Sequence, residues 1–182
     1  IPAPEAQVRV VEDGEAIEAA GLTISVWDTP GHARHHHAFA IEQTVFTGDT
    51  AGARLPGLDY LSVTSAPPQV EPVAYLDSID RIIETDPEQL FLTHFGEVAD
   101  PLAHLKEYRE HIEMASMFVR DRVREGMDAE ALQIAYQAFQ MEIAFRSGLP
   151  SEDWNRYEVV NPTGMCADGI RLYWEKQSGN LK

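Results

Sequence analysis

The sequence is poor in the residues that would tie it to a disulfide framework, a nucleic acid or a bilayer. Its single cysteine, Cys166, excludes an internal disulfide. A reducing cytoplasm is the simplest compartment for such a chain, and Cys166 reads as a small packed residue rather than a nucleophile. Lysine is nearly absent: Lys106, Lys176 and Lys182 are the only three, and Lys and Arg together number 14 against 30 Asp and Glu. The net charge of −16 repels phosphate backbones and anionic lipid surfaces, so neither nucleic acid nor membrane is an expected partner. No apolar run approaches the ~20 residues of a bilayer-spanning helix. The start, Ile1-Pro2-Ala3-Pro4, is not the basic-then-apolar pattern of a secretory signal. It also lacks an initial Met, which fits a processed or truncated chain. Internal repeats and low-complexity segments are missing too.

What is present suffices for a folded domain. The chain has 182 residues, 44% of them hydrophobic, enough for a sizeable core. Residues 1 to 7 read as an extended, Pro-containing lead-in, Val8 to Val11 as a short strand, and Asp13-Gly14 as a tight hairpin turn. Leu22 to Asp28, Ala38 to Glu42, Thr44 to Thr47 and Leu90 to Leu92 read as further strands. Between Ala51 and Pro68 no periodicity appears, and Pro56, Gly57, Pro67 and Pro68 punctuate it, so a functional loop, a lid or a plain surface loop is expected.

Helical spacing begins at Val70 and runs to Thr85, with Val73, Leu76, Ile79, Ile82 and Ile83 on one side. After Asp100 the chain turns almost wholly helical. Asp100 is an N-cap with Pro101 at the first helical position, and the apolar stripe from Leu102 to Val123 stops at Gly126. Asp128 caps a second helix, Ser151 a short third one, and Asn161-Pro162 opens the last. The stripes are core-packing faces. His104 and His111, on similar faces of the first of these helices, are expected to be solvated. The division is therefore residues 1–99 as a strand-rich core and residues 100–182 as a helical extension packed on the same domain.

Three turns carry the chemistry. Thr29-Pro30-Gly31-His32, Phe46-Thr47-Gly48-Asp49-Thr50 and Leu92-Thr93-His94-Phe95-Gly96 each place one metal-competent side chain just past a strand-like apolar run. A metal site needs rigid, converging donors, and strand ends on a shared sheet supply them. His, Asp and His form a borderline donor set suited to zinc and also to iron or manganese. Taken singly, each is a common surface turn; their recurrence in one order is the signal.

These three motifs resemble those of the metallo-β-lactamase-fold hydrolases, which carry a T-P-G-H turn, an F-T-G-D turn and a late T-H-x-G turn. The resemblance implies that His32, Asp49 and His94 are metal ligands, with Asp49 bridging two metals and mattering most to catalysis. The family's first metal loop, H-x-H-x-D-H, does not occur in residues 1 to 31. The chain is therefore similar to the C-terminal half of an α/β, four-layer αββα sandwich with a helical extension, and its expected partner is the N-terminal half of the same protein. His36 stands where the family often has a second His and reads as support for the ligands rather than as one of them.

The activity implied is hydrolysis of a small thioester, ester or lactone at two zinc ions, by a metal-bridging hydroxide, once the missing loop is restored. Two other readings remain open: a mononuclear-iron oxidoreductase of the same fold, like the persulfide dioxygenases, and a non-catalytic helical interaction module left by truncation. A homodimer is a further candidate assembly.

Overall fold

A computed structural model describes residues 3–179. Six strands form one sheet in chain order: β1 (Ala16–Ala19), β2 (Leu22–Asp28), β3 (His37–Ile41), β4 (Thr44–Phe46), β5 (Gln89–Leu92) and β6 (Gly96–Val98). Five α-helices follow the first four strands: α1 (Pro72–Glu84) before β5, then α2 (Pro101–Arg124), α3 (Ala129–Arg146), α4 (Trp154–Val160) and α5 (Thr163–Gln177). All neighbouring strands pair antiparallel except β4 and β5, which are parallel and joined through α1. A mixed α/β architecture with a sheet and covering helices is thus the fold class of the chain.

The pairing directions decide where the three motif turns go. β2 is antiparallel to β3, β3 is antiparallel to β4, and β4 is parallel to β5. β2, β4 and β5 therefore run the same way and end at the same edge of the sheet. His32, Asp49 and His94 follow those three ends, which is where ligands gather in sheets of this kind.

The two faces of the sheet differ. Ala38, Ala40, Val45, Leu90 and Leu92 point into a core shared with Tyr75 and Ile79 of α1, Leu105 and Tyr108 of α2, and Ile170 of α5. On the opposite face the register sets Phe39 beside Phe46 and Phe46 beside Phe91. There Phe46 is 41% exposed and stacks on Phe91 with ring centroids 5.3 Å apart. Asp100 and Asp128 cap α2 and α3 as their positions predict, accepting from Ala103 N at 3.0 Å and from Ala131 N at 2.9 Å.

Several expectations are corrected. Val8 to Val11 is not a strand: Val8 and Val10 are exposed, and the first strand is Ala16–Ala19, which pairs with β2 through a turn at Ala20-Gly21. Both turn residues have positive φ, 53° and 80°, the geometry whose twist matches a two-residue hairpin. Asp13-Gly14 is a turn, but one that feeds the chain onto β2, with Gly14 N donating to Val26 O. The lead-in contains a short 3-10 turn at Glu5–Gln7 rather than extended chain; its first two residues, like 180–182 at the other end, lie outside the described residues. Ser151 caps nothing through its side chain.

Of the alternatives for Ala51 to Pro68, the plain surface loop falls. Ala51, Ala53, Leu55 and the run Tyr60–Ser65 are buried, and Ala53 bridges to both Ser62 and His94. A polar-looking segment without periodicity is buried here because its backbone and hydroxyl groups find partners inside the fold. His104 and His111 are likewise buried, and each donates to a carbonyl of this same segment: His104 Nε2 to Ala51 O at 2.8 Å and His111 Nδ1 to Leu61 O at 3.0 Å.

Candidate functional site

The three turn residues meet. His94 Nε2 lies 2.9 Å from Asp49 Oδ1, and His32 Nε2 lies 3.7 Å from Asp49 Oδ2. The two imidazoles therefore address different oxygens of one carboxylate. All three side chains are partly exposed, at 22% for His32, 28% for Asp49 and 40% for His94, so the cluster opens to solvent.

His32 and the Asp49 turn are held from behind. His32 Nδ1 donates to Thr64 O at 3.1 Å, which turns its Nε2 towards Asp49. The T-P-G-H turn sits directly on α1: a Cβ on Gly31 would stand 2.3 Å from Tyr75 Cα, so only glycine fits. Gly48, at φ 56°, is constrained in the same way by the His36 ring, whose Nε2 would lie 2.4 Å from an added Cβ.

His36 is committed on both nitrogens. Its Nε2 accepts from Asp49 N at 2.9 Å, so the proton sits on Nδ1, which faces Thr29 Oγ1 and Thr50 Oγ1, each at 2.9 Å. With its Nε2 lone pair occupied, His36 steadies the Asp49 turn and offers no donor of its own. Burial, and next the neighbouring His32 imidazole, hold its pKa below the ordinary value, which keeps it in this neutral form.

A buried hydroxyl cluster supports the same turn from below. Asp49 O accepts from Tyr75 Oη at 2.7 Å and from Thr64 Oγ1 at 2.8 Å. Tyr108 Oη accepts from Thr64 N at 3.1 Å and lies 2.9 Å from Tyr75 Oη. Each proton is used once if Tyr108 donates to Tyr75, Tyr75 to Asp49 O, and Thr64 Oγ1 to Asp49 O. Burial pushes Tyr108 up to about 12 and Tyr75 well above its ordinary value, so both hydroxyls keep their protons. Tyr108 lies in the apolar stripe read for α2, whereas Tyr75 is not among the residues read as the apolar side of α1; the hydroxyls give no periodic signal of their own. Cys166 is packed, with burial raising its pKa to about 11 and Sγ near Val63 O and Asn161 Oδ1.

In kind, two imidazole Nε2 atoms and a carboxylate fit a borderline divalent cation. In number they fall short. Among the described residues no group of three or more His, Cys, Asp or Glu is arranged to hold a metal by itself, and a closed zinc shell takes four donors.

No protein-family model matches the chain. It is 34% identical over 103 residues to the metallo-beta-lactamase fold-containing protein ST1585 of Sulfurisphaera tokodaii, a match spanning 56% of this chain and 38% of that protein. It is 29% identical over 112 residues to the lactamase-like protein adaB of Aspergillus niger, spanning 60% of this chain and 32% of that one. The chain thus covers well under half the length of these relatives. Among solved structures, that of the same archaeal protein superposes with a TM-score of 0.50 over 60% of this chain and 40% of that one, at 34% identity. A beta-lactamase domain protein from Burkholderia ambifaria superposes at 0.60 over 100% of this chain and 50% of that one, at 20% identity, a likeness of fold alone. Among the described residues, no helix is long and apolar enough to cross a membrane.

Proposed function

The chain shares the metallo-β-lactamase fold with these relatives over about 60% of its length, and on that premise we propose that it is the part of a metal-dependent hydrolase that supplies His32, Asp49 and His94. The observation that carries this is the placement of two imidazoles on opposite oxygens of one carboxylate, at 2.9 and 3.7 Å. Were two cations bound, His32 and His94 would each hold one, and Asp49 would offer an oxygen to either. Zinc is the cation the donor set favours. When bound, such cations lower the pKa of water towards neutrality and polarise a carbonyl oxygen.

The chain's own residues hold and orient. His32 and His94 present Nε2, Asp49 presents both oxygens, Thr64 O fixes the His32 ring, and His36 with Tyr75 fixes the backbone of Asp49. The reaction is hydrolysis of a thioester, ester or lactone with water as the only co-reactant. The water oxygen bonds to the carbonyl carbon, the C–S or C–O bond breaks, and the thiol or alcohol leaves with a proton.

Three donors are too few for two cations, so a further segment brings the rest. The row of Phe39, Phe46 and Phe91 on the face opposite the core is where that segment packs. Phe46→Glu should then destabilise the native protein by about 1–3 kcal/mol, whereas a face that stays in water would tolerate the change within about 0.5 kcal/mol.

Metal content and turnover of a generic thioester and lactone, measured on the native protein and on Asp49→Ala, His32→Ala, His94→Ala and His36→Ala, test the reading. Asp49→Ala should lose metal and turnover most severely. His32→Ala and His94→Ala should not add, because the site acts as a unit. His36→Ala should weaken metal affinity by about 10- to 100-fold, the usual effect of removing a group behind the ligands. Full metal occupancy with unchanged turnover in Asp49→Ala would refute the assignment. Iron with oxygen consumption would replace it by an oxidoreductase reading.

A further inference from the structure

Beside His94 the fold leaves a cavity of about 290 Å³, between the segment from Arg54 to Asp59 and the turn from Phe95 to Ala99. Its walls are largely carbon: Leu55, Leu58, Leu92, Phe95 and Val98. The cavity adjoins the candidate site twice over. Ala53, just before Arg54, bridges to His94, and Phe95 follows His94 with the two ring centroids 6.3 Å apart.

Phe95 itself is unusual. Its φ of 86° lies in the left-handed region, which disfavours a non-glycine residue, and its ring is still 44% exposed. A strained backbone that holds an aromatic ring out of the core gains little in stability. The ring does, however, form a wall of the cavity next to the site.

Charge narrows what the cavity can take. The Arg54 guanidinium is committed to Glu107, with Nη2 2.7 Å from Oε2. The other charged residues along the cavity, Asp59 and Glu97, are both acidic and form no ion pair among the described residues. An anionic group would be desolvated there against like charge, while a neutral apolar group would gain by leaving water.

We propose that this cavity is the subsite for the acyl substituent of the scissile carbonyl, and that it selects neutral aliphatic groups over carboxylate-bearing ones. The assignment rests on the hydrolase reading of the adjoining site, so its test has one arm that needs no turnover. In that arm hexanamide, adipamate (the monoamide of adipic acid, with its carboxylate at the far end of the chain) and acetamide are titrated into the native protein and followed by the backbone NMR resonances of Leu58, Phe95 and Val98. Hexanamide should shift those three, acetamide should not at the same concentration, and adipamate should bind about tenfold more weakly because its charge must be buried in the cavity. Adipamate binding as tightly as hexanamide, or hexanamide shifting a different region, overturns the subsite.

In the second arm kcat/KM is measured for the N-acetylcysteamine thioesters of acetate, butyrate, hexanoate and adipate. It should rise by about fourfold per added methylene, the equivalent of ~0.8 kcal/mol for each CH₂ buried. The adipoyl thioester should fall well below the hexanoyl one. Leu58→Trp, which narrows the cavity, should bring the hexanoyl-to-acetyl ratio towards one, and Asp59→Lys should raise the adipoyl rate relative to hexanoyl. Turnover that ignores chain length in the unmodified protein overturns the subsite. Absence of hydrolysis for every thioester in metal-replete protein overturns the hydrolase reading instead, and the hexanamide result then still decides what the cavity takes.

Discussion

The turns that carry Asp49 and His94 end neighbouring parallel strands, yet they are held in opposite ways. The Asp49 turn is fastened on every side: His36 holds its N–H, Tyr75 and Thr64 hold its carbonyl, and Gly48 is pressed against the His36 ring. The His94 turn is open. Thr93 N reaches Gly48 O at 3.4 Å, Phe95 projects towards solvent, and Gly96, at φ 88°, has nothing within 4 Å of the place a Cβ would occupy. On the reading proposed above the difference has a use. A carboxylate that would be shared between two cations needs a fixed backbone, while the more loosely held His94 would be free to adjust as a ligand enters.

Paired glycine substitutions break this comparison most sharply. Gly48→Ala meets both an unfavourable φ and the His36 ring, and should destabilise the native protein by about 3 kcal/mol in urea unfolding. Gly96→Ala meets only the unfavourable φ and should cost about 1 kcal/mol. Equal effects at the two positions would remove the contrast.

Acid should act on the fastened side of the molecule. Burial above all lowers the pKa of His104 to about 4, against an ordinary value of 6.5. The unfolded chain therefore binds a proton in a range where the folded one does not. The contribution is whole above pH 6.5 and is lost as pH falls towards 4, by roughly 3 kcal/mol in total. Urea unfolding across that range should show the slope, and His104→Gln should flatten it. An unchanged slope in the variant would mean that other groups set the acid sensitivity.

A smaller change is expected at the hydroxyl cluster. Tyr75→Phe removes one of two donors to Asp49 O and one of two hydroxyl partners of Tyr108 Oη, the other being Thr64 Oγ1 at 3.0 Å, so about 0.5–1.5 kcal/mol of stability should go. The phenyl ring keeps the core filled. A thermal midpoint identical to that of the unmodified protein would show that the cluster does not hold the turn.

These contrasts mark how far the sequence can be read. The strand-then-turn recurrence at His32, Asp49 and His94 was legible because each ligand-type residue follows its own apolar run, and Asp100 and Asp128 were legible as caps because capping is local. The edge shared by β2, β4 and β5 was not, since strand direction is a property of the whole sheet. Tyr108 sits in an apolar stripe and Tyr75 outside the one read for α1, and nothing in a helical stripe tells a packed phenol from one whose hydroxyl holds a turn of another segment. Ala51 to Pro68 misled for a related reason. Its burial depends on His104, His111, Asn161 and the tyrosines, all distant in sequence, donating to or accepting from its backbone and side chains. Val8 to Val11 has strand composition but no neighbour to pair with among the described residues.

The position of the metal bears most directly on the proposed site. Diffraction from crystals of the native protein grown with zinc, recorded on both sides of the zinc absorption edge, locates the ions without reference to activity. The account predicts anomalous peaks within ~2.0–2.2 Å of Nε2 of His32 and of His94, with an oxygen of Asp49 at the same distance from each. Peaks that lie elsewhere, with both Nε2 atoms and the Asp49 carboxylate free of metal, would contradict it.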